Sequence, residues 1–174
     1  MKNILASICL TIALALSARA AEVSTTLSDV HLCCQSCVKG VQAAAAKVEG
    51  VTVDADREAR TVKLTGPDTA TVQKAVDAIV AAGYFGKSSD AGIKVNAETG
   101  AKGQRVQSLE VEGMHLCCPK CVKALNAALE PVPGVKGNTA TKGAKSFTVT
   151  GDFNDQDVVN ALQKAGLTGQ VSSK

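Results

Sequence analysis

Two seven-residue stretches hold most of the reactive side chains in this sequence: HLCCQSC at 31–37 and HLCCPKC at 115–121. The chain has 2 histidines and 7 cysteines, and only Cys9 lies outside these stretches. Each contains a Cys-x-x-Cys pair, Cys34 with Cys37 and Cys118 with Cys121. Each adds a cysteine just before the pair (Cys33, Cys117) and a histidine two residues earlier (His31, His115). Thiolate is the form that binds soft metals or attacks disulfides, and an unperturbed thiol ionises near about pH 8.5. If a helix starts inside the motif, its N-terminus adds partial positive charge and unpaired N–H groups. A spacing of three puts one thiol on the loop and one on the first turn, where both can reach one ion at about 2.3 Å.

Three chemistries fit these residues: metal binding, disulfide bonding and thiol–disulfide exchange. An exported chain rich in cysteine invites disulfides. Yet each cluster holds an odd number of thiols, so local pairing strands one per cluster. Exchange chemistry also uses Cys-x-x-Cys at a helix start. The four prolines (Pro67, Pro119, Pro131, Pro133) do not supply the proline that faces such thiols in a thioredoxin-like fold. No Ser-His-Asp set or paired-carboxylate pattern is present, and a hydrolytic zinc centre needs more histidines. The expectation is a non-enzymatic protein.

The elements that must position the thiols are written twice. Sliding the chain by 84 positions superposes the two stretches, and 12 of the 21 pairs over 31–51 and 115–135 are identical. Each half reads as strand, helix, strand, strand, helix, strand. Leu27, Val30 and Leu32 belong to the first strand, with Val111, Met114 and Leu116 as counterparts; a break in their alternation predicts a bulge before the cysteines. Val38, Val41, Ala45 and Val48 have helical spacing, as do Val122, Leu125, Leu129 and Val132. Gly50 and Gly134 stop those helices. Val62 and Leu64, like Phe147 and Val149, mark a later strand. The second helices run from about Asp68 to Ala82 and from about Asn154 to Ala165. This order predicts two tandem ferredoxin-like βαββαβ domains of class α+β, each a four-stranded antiparallel sheet with two helices on one face. Cys33 to Ser36 then lie on an exposed loop, with Cys37 on the first helical turn. His31 and Cys33 share one face of the strand and Leu32 and Cys34 the other. Adjacent cysteines tend to point apart, so Cys34 and Cys37 rank first as ligands, Cys33 second and His31 third. The same order holds for Cys118 and Cys121, then Cys117, then His115.

Each half resembles the heavy-metal-associated domain of copper chaperones, soft-metal pumps and periplasmic mercury-binding proteins. The resemblance rests on the element order, the Cys-x-x-Cys after the first strand, and the apolar-Gly-Val ending of the first helix. It implies metal ligation by Cys34 and Cys37 and by Cys118 and Cys121, with Cu(I) the leading ion. Tyr84 resembles the aromatic residue that such domains carry in the loop facing the metal; Leu167 takes its place in the second half. Leu32 and Leu116 stand where the family has Met. The extra Cys33, Cys117, His31 and His115 depart from the family pattern. Three sulfurs and a nitrogen supply the tetrahedral set preferred by Zn(II) or Cd(II), whereas two thiolates suit Cu(I) or Hg(II). The implied partner is a metal-donor or metal-acceptor protein, such as a metal transporter.

The boundaries follow from composition. Residues 1–20 have a basic start, a short apolar run and an Ala-Arg-Ala site, which together predict a cleaved signal peptide. The apolar run is too short for a stable membrane anchor, and no later stretch is apolar enough to span. The first domain is placed at 21–88, a linker at 89–105 and the second domain at 106–174. Loss of Lys2 and Arg19 from the 19 basic residues leaves 17 against 16 acidic ones. That balance, with one Tyr, three Phe and no Trp, excludes a nucleic-acid surface. The expected setting is periplasmic or secreted. Two loops on a flexible tether would act separately, or close on one ion. A thiol–disulfide redox protein or a disulfide-stapled interaction module is the alternative.

Overall fold

In the computed structural model, residues 21–173 are described; the predicted signal peptide and Cys9 lie outside them. The elements of the first half are β1 (Val23–Ser28), α1 (Gln35–Ala45), β2 (Thr52–Asp56), β3 (Thr61–Gly66), α2 (Thr69–Ala81) and β4 (Lys87–Ser88). Those of the second half are β5 (Arg105–Glu112), α3 (Pro119–Leu129), β6 (Val135–Asn138), β7 (Ser146–Asn154), α4 (Asp155–Lys164) and β8 (Gln170–Ser173). The chain is α+β, with sheet orders β2-β3-β1-β4 and β6-β7-β5-β8, both fully antiparallel. In each, the first and third strands lie side by side at the centre, as in the ferredoxin-like arrangement.

For α2 and α4 the helical spacing read from the sequence matches the buried faces, whereas Val48 and Val132 lie beyond α1 and α3 and Val122 is only half-buried. Helix α2 buries Val72, Ala75, Val76 and Ile79, and Asp68 caps it by accepting from the Thr71 N–H at 2.7 Å. Helix α4 buries Val158, Val159 and Leu162 and is capped by Asn154 on the Gln156 N–H at 2.9 Å. Leu27, Val62 and Leu64 from one sheet and Leu109, Val111, Phe147 and Val149 from the other join these helices in one continuous apolar core.

The break in alternation before the cysteines is not a bulge. Strand β1 pairs in unbroken register with β3 and ends at Ser28. Asp29 (φ 61°) and its counterpart Gly113 (φ 74°) are left-handed and turn the chain out of the sheet. The register shift in β5 lies at Val106/Ser108, at the far end of that strand. Val30 and Leu32 nevertheless bury, as do Met114 and Leu116, so the loops carry apolar pegs into the core.

The segment between the halves forms no strand at IKVN and is pinned along its length. Gln73 brackets Lys94, donating to its carbonyl and accepting from its N–H. Ile93 is buried, and the Val171 N–H donates to the Thr99 carbonyl. Asp155, 4% exposed, accepts from the Lys102 and Gln104 N–H groups at 2.8 and 2.7 Å. A hydrogen bond to a charged acceptor contributes about 1.5–3 kcal/mol. Asp155→Ala therefore lowers the thermal midpoint by roughly 3–12 °C. It also speeds proteolysis between residues 95 and 104; calorimetry with limited proteolysis checks both.

Candidate metal centre

The loops after β1 and β5 lead into α1 and α3 with the same geometry. Cys34 and Cys118 are the N-cap residues, with extended backbones (φ −158° and −149°), and neither thiol caps its own helix. Their carbonyls instead accept from the N–H groups of Cys37 and Cys121, both at 3.0 Å. Each N-cap thiol is thus left free for other chemistry beside the positive end of a helix. Pro119 at the first position of α3 costs nothing, because that N–H has no helical partner. Helix α1 begins at Gln35, two residues earlier than the sequence reading, so Gln35 and Ser36 are helical. Arg60 donates to the Asp29 and Val30 carbonyls and steadies the first loop from beneath.

The loops do not face solvent; they face each other. Tyr84 and Leu167 pair as an antiparallel bridge between the halves, flanked by Phe85 N–H to Gly166 carbonyl (3.1 Å) and Thr168 N–H to Gly83 carbonyl (3.2 Å). The His31 N–H also reaches the Gly166 carbonyl at 3.3 Å. The approach is so close that a Cβ on Gly83 would lie 2.6 Å from the Gly113 oxygen and one on Gly166 2.3 Å from the Asp29 oxygen. Glycine is needed at both positions for space as well as for positive φ.

This closure brings all six described cysteines together. Between the halves, Cys33 Sγ lies 3.4 Å from Cys118 and 3.4 Å from Cys121. Cys117 lies 3.6 Å from both Cys34 and Cys37, and Cys37 lies 4.0 Å from Cys121. Within the halves, Cys37 is 3.7 Å from Cys33 and from Cys34, while Cys121 is 3.7 and 3.8 Å from Cys117 and Cys118. These separations are far beyond a disulfide bond of about 2.05 Å, and the six are free thiols. Cys33 and Cys34, although adjacent, both turn inward and share a group with Cys118 in which all sulfurs lie within 4.8 Å. They do so because the chain has left the strand by residue 33, so strand alternation no longer applies. Cys37 and Cys121 are fully buried and the other four are half-buried, so the exposed-loop expectation is corrected.

The histidines sit at the edge of the cluster. His31 joins Cys33 and Cys121 as a further candidate ligand group. His115 stacks on Tyr84 at 4.8 Å between ring centroids, and no described group of this kind includes it. The buried Nε2 atoms of both histidines have no protein partner. Orphaned buried nitrogens are costly, and an ion held by Cys33 and Cys121 would satisfy that of His31. Burial lowers the His115 pKa and outweighs the nearby Cys121, keeping the imidazole neutral and able to ligate. The Tyr84 hydroxyl donates to the Cys37 carbonyl at 3.1 Å, and burial pushes its pKa up. Room for Tyr84 comes from Gly40, where a Cβ would collide with that hydroxyl. No local signal marks Gly40; its role depends on a residue 44 positions away.

Charge is unevenly shared among the thiols. Contact with Cys37 leads the effects that lower Cys121, assisted by His31, to about 2. Burial opposes ionisation of Cys34, but the Cys37 N–H and neighbouring thiols bring it to about 6. Burial raises Cys33 and takes Cys117 up to about 12, while contact with Cys121 raises Cys37. The cluster thus holds some thiolate already and keeps its remaining protons until a cation displaces them.

No family model matches the chain. It is 30% identical over 151 residues to copper-transporting ATPase 2 of Rhizobium meliloti (strain 1021), a match covering 83% of this chain. The chain spans only 16% of that relative's length. Among solved structures, the N-terminal soluble domains of Bacillus subtilis CopA match at 15% identity and a TM-score of 0.31, covering 88% of this chain and 95% of that one. The first two RRM domains of the yeast poly(U)-binding protein Pub1 match at 10% identity and a TM-score of 0.28, covering 87% and 98%. Both whole-chain superpositions are poor, and the assignment of architecture rests on sheet order. Among the described residues, no helix is long and apolar enough to cross a membrane.

Proposed function

We propose that this protein captures soft metal ions, Cu(I) first, with thiolates contributed by both halves, and sequesters them or hands them to a partner. The observation that carries this is the convergence of six thiols from two distant motifs beside two buried imidazole nitrogens without partners. Thiolate ligands select soft ions. The similarity to part of a copper-transporting ATPase supports copper over Zn(II), Cd(II) or Hg(II). The protein performs no catalytic step of its own. The predicted export signal supports a periplasmic or secreted setting, with a metal transporter or metal-donor protein as partner.

Handover would begin at a cavity of about 750 Å³ where His31 and Cys33 meet solvent. Arg57, Arg60, Lys120 and Lys164 line it, with Glu58 paired to Arg57. A partner offering thiolates from an acidic surface suits that mouth. The test is a competition titration of the reduced chain with Cu(I) and Zn(II) against chelators of known affinity. Cu(I) is expected to bind far more tightly than about 1 μM, and Zn(II) more weakly than Cu(I). If neither ion binds tighter than about 1 μM, the reading fails.

A further inference from the structure

The six sulfurs do more than crowd together. Cys33 lies beside Cys37, Cys118 and Cys121, and within 4.8 Å of Cys34. Cys117 lies beside Cys34, Cys37 and Cys121, and within 4.8 Å of Cys118. Adding the remaining contacts leaves three pairs as opposite corners: Cys33 and Cys117, Cys34 and Cys121, and Cys37 and Cys118. Every sulfur then neighbours all the others except its opposite, which is the connectivity of an octahedron. Each opposite pair takes one cysteine from each half.

An octahedron of thiolates has eight triangular faces. Four alternate faces use every edge once and every corner twice. Any four corners include an opposite pair, so this set of sulfurs has no compact tetrahedral pocket of the kind Zn(II) prefers. An ion at the centre of a triangle, with metal–sulfur bonds of about 2.3 Å, separates its sulfurs by about 4.0 Å. Nine of the twelve edges measure 3.4 to 4.0 Å, at or just below that spacing, and the other three (Cys33–Cys34, Cys34–Cys118 and Cys117–Cys118) lie within 4.8 Å. They suit ions centred on or just above triangular faces. Three-coordination by thiolates is open to Cu(I), a soft ion with a filled d shell.

We propose that the two halves build one polynuclear Cu(I)–thiolate cluster: four Cu(I) ions on alternate faces of the six-sulfur octahedron, each sulfur bridging two ions. This rests on the soft-metal reading above and sharpens it, replacing two separate single-ion sites with one shared cage. The thiols still protonated lose their protons to solvent as four monovalent cations enter, and six thiolates with four Cu(I) leave two negative charges on the cluster. The N-termini of α1 and α3 both meet the cage and offset that charge. His31, in a group with Cys33 and Cys121, guards the edge nearest the basic mouth.

Stoichiometry tests this directly. The reduced full chain is titrated with Cu(I) under anaerobic conditions, and bound ions are counted by native mass spectrometry. X-ray absorption on the loaded protein reports copper coordination. The expected result is a dominant four-copper species formed with few intermediates, three sulfurs per copper and a copper–copper shell. Tight binding that saturates at one or two ions, or two sulfurs per copper with no copper–copper shell, overturns the cage while leaving the soft-metal reading intact. No copper uptake overturns both. Cys33→Ser removes a corner shared by two faces, so capacity falls from four ions to two; circular dichroism confirms that the variant folds. A capacity unchanged by Cys33→Ser overturns the proposal.

Discussion

Cys121→Ser weakens Cu(I) capture by the thiols of the first half at least tenfold, although Cys121 lies 84 residues along the chain from Cys37. The expectation follows from distances. Cys121 Sγ is 3.4 Å from Cys33, closer than the 3.7 Å between Cys33 and Cys37, and 4.0 Å from Cys37. It is fully buried, so no solvent or side chain replaces the lost sulfur. A serine hydroxyl is a hard, poorly ionised ligand and does not substitute for thiolate. A tenfold loss corresponds to about 1.4 kcal/mol, a small fraction of what a soft metal–thiolate interaction supplies. The measurement compares the competition titration of Cys121→Ser with that of the parent chain. If the thiols of the first half bind Cu(I) with the parent affinity in this variant, the halves act as separate sites and the shared centre is wrong.

The second large effect concerns the seam that brings the halves together. Gly166→Ala opens it, raising the radius of gyration of the reduced protein and abolishing joint use of the six thiols. An alanine Cβ there would lie 2.3 Å from the Asp29 oxygen and 2.5 Å from the His31 nitrogen. Both are backbone atoms of the first metal loop and cannot step aside as a flexible side chain would. The left-handed backbone itself adds about 1–2 kcal/mol for a non-glycine residue. Gly143→Ala separates the two contributions, since Gly143 has the same φ of 78° but a Cβ added there would meet nothing within 4 Å. Small-angle scattering and copper stoichiometry on both variants decide the matter. Expansion and lost capacity in Gly166→Ala but not in Gly143→Ala support the seam; identical behaviour of the two would refute it.

Much of the fold is legible from local pattern. Val72, Ala75, Val76 and Ile79 recur at helical spacing because one stripe of α2 must leave water, and the structure buries those four residues. Asp68 and Asn154 announce the starts of α2 and α4 through their capping side chains. The turn before the cysteines is readable only as a disturbance. Asp29 carries no glycine signal for its left-handed backbone, so the break in alternation reads as a bulge. The intervening segment reads as a free tether because its composition is polar and rich in glycine. Its anchors, Asp155 and Gln73, belong to helices far away in sequence.

The sequence by itself determined which atoms are reactive and what local frame holds them: Cys34 and Cys118 at helix starts, Cys37 and Cys121 one turn on, and Cys33 and Cys117 just before. Those facts depend on neighbours a few residues apart, which spacing and propensity report. Only the tertiary structure decided that the two motifs meet. That outcome depends on the Tyr84–Leu167 bridge, on the absence of side chains at Gly83 and Gly166, and on the space Gly40 leaves for Tyr84 against His115. No periodicity encodes such pairings between residues some 80 positions apart, because they express the fit of two finished surfaces. That fit turns two loops of three thiols into one six-sulfur centre.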